Sequence, residues 1–158
     1  MFQIKREKHP NLVLVRGLPG SGKSTYANKI QLKHSAGEAD HFEADMFHVK
    51  DGEYLFDQKN VRHAHMWCQA QTARSLYNGK TVIVANTFIT FGELYPYIKI
   101  AKDFGAEVFI VECIGKFGNV HNVPEEVLEK MYNNWDDLEI FKGADRHEID
   151  GVIVNCIR

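Results

Sequence analysis

The stretch Gly17-Leu18-Pro19-Gly20-Ser21-Gly22-Lys23-Ser24 fits G-x-x-x-x-G-K-[ST] at every fixed position, and nothing else in the chain constrains the fold so tightly. A loop of this kind belongs where a strand ends and a helix begins. Leu12-Val13-Leu14-Val15 precedes it, and sequence with helical spacing follows from about Lys23 to His34. Its glycines let backbone N–H groups turn inward and approach an anion with no Cβ in the way. The start of the helix adds unpaired N–H groups and a partial positive charge. The predicted nest suits a triphosphate tail. Gly17, Pro19, Gly20, Ser21, Gly22, Lys23, Ser24 and Thr25 are its candidate nucleotide-binding residues, with Lys23 reaching the outer phosphates and the Ser24 hydroxyl helping to hold Mg2+. The plain alternative is a Gly-rich connecting turn, which would match four fixed positions by chance in about one per cent or less of chains this long.

The rest of the chain alternates short β-branched runs with longer helical stretches, the pattern of an α/β domain with a mostly parallel sheet. Five strands are expected: Leu12 to Arg16, His41 to Asp45, Thr81 to Asn86, Glu107 to Cys113 and Val152 to Cys156. A second helix over about Gln58 to Asn78 sets Val61, Ala64, Cys68, Thr72 and Leu76 on one face and ends at Gly79. Thr90 with Glu93 reads as a capping box for a third helix that ends near Gly105, with Pro96 limiting its first turn. Pro124, Glu125 and Glu126 open a fourth, under which Met131 and Trp135 would pack. At 158 residues, with no internal repeat or linker, the expectation is one domain over 1–158: a three-layer P-loop sandwich, its five-stranded sheet covered by helices on both faces.

Composition excludes several classes. No apolar run approaches the roughly 20 residues of a spanning helix, and Met1 to Pro10 lacks the apolar core of a signal peptide, so the expected setting is the cytoplasm with no membrane contact. Cys68, Cys113 and Cys156 are widely spaced and read as reduced core thiols. Nineteen basic against 21 acidic residues give a formal charge of −2, so any nucleic-acid binding must come from a local patch.

The second strand is expected to end at Asp45, and strand ends in open parallel sheets point into the ligand crevice. A carboxylate there can take the proton of an attacking hydroxyl while a phosphoryl group moves in line, which is kinase logic. Glu43, two residues earlier on the same face, is the second candidate; a solvated strand-end carboxylate is the plain one. The third strand ends in Ala85-Asn86-Thr87, where many P-loop proteins place a metal-assisting acid. A neutral amide can position water or a substrate phosphate but adds no charge. Mg2+ would then depend on Ser24, water and Asp45.

This combination of phosphate loop, Ala44-Asp45-Met46-Phe47 and Asn86-Thr87 resembles the polynucleotide-kinase-like P-loop kinases, including phage proteins described as AAA-type ATP-binding proteins. Asn119-Val120-His121, Val123-Pro124 and Met131 are similar to that family's lid and the helix after it. The resemblance implies that Lys23 and Ser24 bind ATP and Mg2+, that Asp45 is the general base, and that Asn86 and Thr87 face the substrate. The lid lacks the family's arginines: Lys116 and His121 are its cationic candidates, with Arg62, Arg74 or Arg146 contributing from elsewhere. His48 and Lys50 stand where a substrate-phosphate arginine would fit. Some of these kinases act on 5′-hydroxyl ends and others resemble enzymes acting on hydroxymethyluracil in DNA, so a nucleic acid, DNA first, is the implied acceptor.

Tyr54, Phe56, Phe88, Tyr95 and Tyr97 lie beyond strand ends, where they either stack on a base or pack their own loops. His63 and His65 point about 200° apart on a helix and cannot share a metal. His147-Glu148 reads as a solvated turn, and Trp135-Asp136-Asp137 as the end of the fourth helix. The leading reading is a nucleic-acid hydroxyl kinase; a nucleoside or small-alcohol kinase and a nucleotide-gated binding module are the alternatives.

Overall fold

A computed structural model describes residues 10–118 and 122–138, and the backbone of 153–157. Strand β1 (Asn11–Arg16) is the centre of the sheet because it is apolar on both faces, as a strand covered by helices on each side must be. β5 (Thr81–Ala85) and β6 (Glu107–Cys113) pair with it in parallel, with Val13 opposite Ile83 and Phe109. β2 (Ala39–Phe42) and β7 (Ile153–Ile157) complete a five-stranded parallel sheet of order β2-β5-β1-β6-β7.

Residues alternate between the two faces. Leu12, Leu14, Val82, Val84, Val108 and Ile110 share a core with α2 (Val61–Tyr77) and α3 (Phe91–Asp103). Val15, Ile83, Ala85 and Val111 pack on the other side against Ala27, Tyr26 and Ile30 of α1 (Lys23–Leu32). The expected three-layer sandwich is the fold. α2 buries Ala64, Cys68, Thr72 and Leu76, as its spacing predicts, and Gly79 closes it at φ 73°, a left-handed position that glycine adopts without strain. The Thr90–Glu93 capping box forms, but it starts α3 at Phe91, so Pro96 sits inside the helix rather than in its first turn. α4 spans Glu125–Asn133.

The second strand departs most from expectation. It ends at Phe42, and Ala44–His48 turn into a short 3-10 helix. The cause is tertiary: Ala44 donates its N–H to Asn86 Oδ1 at 2.8 Å, and Met46 donates to the Glu43 carbonyl at 3.0 Å. A hairpin follows, β3 (Val49–Lys50) and β4 (Glu53–Tyr54). Its Asp51-Gly52 turn has φ 51° and 80°, the two positive values that a tight hairpin favours.

Trp135 follows α4, its N–H bonded to the Tyr132 carbonyl at 3.3 Å. It lies against the guanidinium of Arg16, 3.7 Å from the ring centroid. Arg16 is fully buried, donating to the carbonyls of Phe88, Ile89 and Asp136 and to Glu112 Oε1 at 2.9 to 3.1 Å. Burial pushes its pKa down while Glu112 and Asp136 oppose that shift. Asp136 also accepts the Phe91 N–H at 2.8 Å, so the Trp135-Asp136 segment ties the start of α3 to the end of β1.

Candidate nucleotide and acceptor site

The phosphate loop leaves β1 and enters α1 through glycines that the geometry requires. Gly20 has φ 78° and Gly22 φ 91°. A Cβ on Gly17 would collide with Ser21 Oγ and lie 2.7 Å from the Cys113 carbonyl, and one on Gly20 would collide with the Gly118 carbonyl. The loop is braced from both sides: Gly17 donates to the Thr87 carbonyl at 3.2 Å, and Phe117 donates to the Gly20 carbonyl at 2.8 Å. No side chain caps α1, so its first-turn N–H groups are left to an outside acceptor. Ser21 Oγ is buried there with no hydrogen-bond partner among the described residues. Uncapped donors, an orphaned hydroxyl and a lysine at one concavity fit the phosphates of a nucleotide.

Lys23 Nζ donates to the Leu18 carbonyl at 2.9 Å. Burial pushes its pKa below the ordinary lysine range, with Glu43, Cys113 and Asp45 pulling the other way in that order. Both candidate carboxylates therefore face the lysine. The 3-10 turn gives them different partners, where a continuing strand would have set both on one face.

Glu43 stays on the phosphate side. Its Oε1 accepts from His41 Nε2 at 3.1 Å, and the Ser24 hydroxyl lies beside it. Burial pushes its pKa up, but the His41 and Ser24 hydrogen bonds and Lys23 more than offset that, so the net shift is downward. A carboxylate lowered on folding stabilises the fold above its ordinary value of 4.5, and that contribution is lost as pH falls through the lowered native value. Glu43→Gln should therefore lower the urea midpoint at neutral pH, and the gap to wild type should close in acid. A gap of constant size across that range would remove the assignment.

Asp45 lies in the first turn of the 3-10 helix, and its Oδ1 accepts from the Tyr54 hydroxyl at 3.3 Å. Asn86 is turned inward. It binds Ala44 through Oδ1 and approaches Cys68 Sγ at 3.8 Å through Nδ2, beside the Tyr97 hydroxyl. The resemblance has Asn86 facing the substrate; its amide is instead committed to holding the turn that carries Asp45. Thr87 meets the phosphate loop through its carbonyl.

His48 also differs. It is buried against Phe47, Tyr54 and Phe56, because the turn folds it under the hairpin, away from a place as a phosphate-binding cation. Phe88 and Tyr97 are core residues that meet edge to face at 5.3 Å. Lys116 is exposed; in that segment it is Phe117 whose ring covers Gly22. His121, Arg146 and His147-Glu148 lie outside the described residues, as does the Cys156 side chain, while Cys68 and Cys113 are buried thiols. Arg62 and Arg74 are exposed on α2.

Sequence reasoning missed Arg16 and Phe117, and it missed the hairpin, whose Asp51-Gly52 signal was present. Among the described residues no cluster of three His, Cys, Asp or Glu side chains could hold a metal, and no helix is long and apolar enough to cross a membrane. Ser24 and Asp45 are the residues expected to hold Mg2+; of the two carboxylates it is Glu43 that lies at the Ser24 hydroxyl.

Residues 12–116 match the family described as AAA domain (AAA_33). Human NEDD4-binding protein 2 is 31% identical over 135 residues; these cover 78% of this chain and 8% of that protein, so the chain spans under a tenth of its length. Kti12 of Chaetomium thermophilum, solved with ADP-AlF3, superposes with TM-score 0.65 at 15% identity over 91% of this chain and 88% of its own. The Pnkp1/Rnl/Hen1 RNA repair complex gives 0.64 at 19% identity, over 90% of this chain and 48% of the matched one. A gluconokinase from Sinorhizobium meliloti 1021 gives 0.55 at 18%, over 94% and 83%. These likenesses show a P-loop kinase-like fold shared by proteins of differing substrates. By the match over 12–116, the chain belongs to the AAA domain family AAA_33.

Proposed function

We propose that this chain, as a single P-loop kinase domain over 1–158, transfers the γ-phosphoryl group of ATP to a hydroxyl of a nucleic acid, in the manner of the polynucleotide-kinase-like enzymes. The observation that carries this reading is the separation of the two carboxylates. Glu43 bonds to the Ser24 hydroxyl beside Lys23, whereas Asp45, which also acts on Lys23, bonds to Tyr54 of the hairpin. One acid serves the nucleotide and its metal; the other is placed for an acceptor.

In the reaction the acceptor oxygen bonds to the γ-phosphorus as the β–γ bridging bond breaks. ADP leaves, and the hydroxyl proton passes to Asp45. Uncapped amides of the loop hold the phosphates, and Lys23 Nζ exchanges the Leu18 carbonyl for a phosphate oxygen. Mg2+, when bound, neutralises charge on the phosphates. Asn86 acts from behind by fixing the Ala44 backbone. The neutral end of β5, with no carboxylate to activate water, fits transfer to an alcohol better than hydrolysis.

The test is transfer of label from γ-labelled ATP with Mg2+ to three acceptors: 5′-hydroxyl oligonucleotides, duplex DNA carrying hydroxymethyluracil, and free nucleosides. Label on either nucleic acid, lost in Lys23→Ala, is expected. Turnover of nucleosides with no competition by DNA would select the small-alcohol kinase, which the formal charge of −2 favours. ATP binding with no transfer to any acceptor would select the binding module.

A further inference from the structure

Of the five aromatic residues beyond strand ends, Phe88 and Tyr97 are core, and Tyr95 leans on Phe91 at 6.1 Å. Tyr54 and Phe56 differ. They are 40% and 56% exposed, their rings are nearly parallel at 22°, and their centroids are 6.5 Å apart. The buried His48 ring contacts both, edge-on to Tyr54 at 6.2 Å and tilted against Phe56 at 5.0 Å, and the Leu55 N–H is bonded to the His48 carbonyl at 2.8 Å. The platform is therefore fixed to the turn that carries Asp45, and the Tyr54 hydroxyl touches that carboxylate.

We propose that Tyr54 and Phe56 form a stacking platform for one unpaired nucleobase of the acceptor strand, holding the nucleotide whose hydroxyl reaches Asp45. This rests on the kinase reading above. The segment mixes Asp51, Glu53 and Asp57 with Lys50 and Lys59, so it offers no basic track for a phosphate chain, and its two exposed ring faces are what it presents to a nucleotide. Flat aromatic rings accept any base, which suits recognition of an end or an extruded nucleotide.

The test uses a single strand with a 5′-hydroxyl and 2-aminopurine as its first base, titrated into the full chain with MgADP. Wild type should quench the fluorescence by stacking. Phe56→Ala should weaken binding about tenfold or more, in line with measured base–aromatic stacking. Phe56→Trp should restore it, and Tyr77→Ala, which removes an exposed aromatic at the far end of α2, should bind as wild type. A strand with an abasic first position should lose the same factor as Phe56→Ala.

Equal wild-type affinity for abasic and base-bearing strands, or Phe56→Ala binding as wild type, would overturn the platform. Transfer to the abasic strand with undiminished kcat/KM would do the same while leaving the kinase reading intact. Quenching with no transfer to any strand would remove the kinase reading and keep the platform.

Discussion

Arg16→Ala should cost about 3 to 5 kcal/mol of stability, the range seen when one partner of a buried charged network is removed. At roughly 2 to 4 °C per kcal/mol for a chain of this size, Tm should fall by about 6 to 20 °C. The reason is arithmetic of partners. The guanidinium satisfies the Phe88, Ile89 and Asp136 carbonyls and the Glu112 carboxylate, and Trp135 lies on its face. Alanine leaves the Phe88 carbonyl inside the core without its donor, at about 1 to 3 kcal/mol for a group that water cannot reach, and leaves the Ile89 carbonyl with the Asp136 N–H alone. Thermal melts of Arg16→Ala beside the exposed Arg74→Ala check this; equal melting of the two would sink the network as a stability element.

Asp45→Asn is the second large effect. General-base assistance contributes about 10²- to 10⁴-fold, so kcat for transfer should fall by that factor while ATP affinity stays close to wild type. Asparagine keeps the shape and an oxygen for the Tyr54 O–H but cannot take the acceptor's proton. Single-turnover transfer and an independent nucleotide-binding measurement separate the two quantities. Normal turnover in Asp45→Asn would move the base to Glu43, whose carboxylate is already engaged by His41 and Ser24.

Much of the frame was legible in the residues. Gly17, Gly20 and Gly22 announce a loop that tolerates no Cβ or needs positive φ, Thr90 and Glu93 announce a helix start, and the period of α2 announces its buried face. Each is a demand that a residue makes on its own neighbourhood, within a turn or two of chain. The end of β2 was not legible, because His41 to Asp45 carries a strand-like pattern that Asn86, from a distant segment, breaks by taking the Ala44 N–H.

The sequence by itself therefore determined the phosphate loop, the parallel α/β sandwich and the chemistry that Lys23, Glu43 and Asp45 can offer. Tertiary structure decided where those groups point: it placed Glu43 with Ser24 and Asp45 under Tyr54, turned Asn86 and His48 inward, and made Arg16 a hub. The physical reason is that glycine sterics and helix capping act through adjacent bonds, whereas a buried polar group must find its partner among whatever strands and loops become its neighbours.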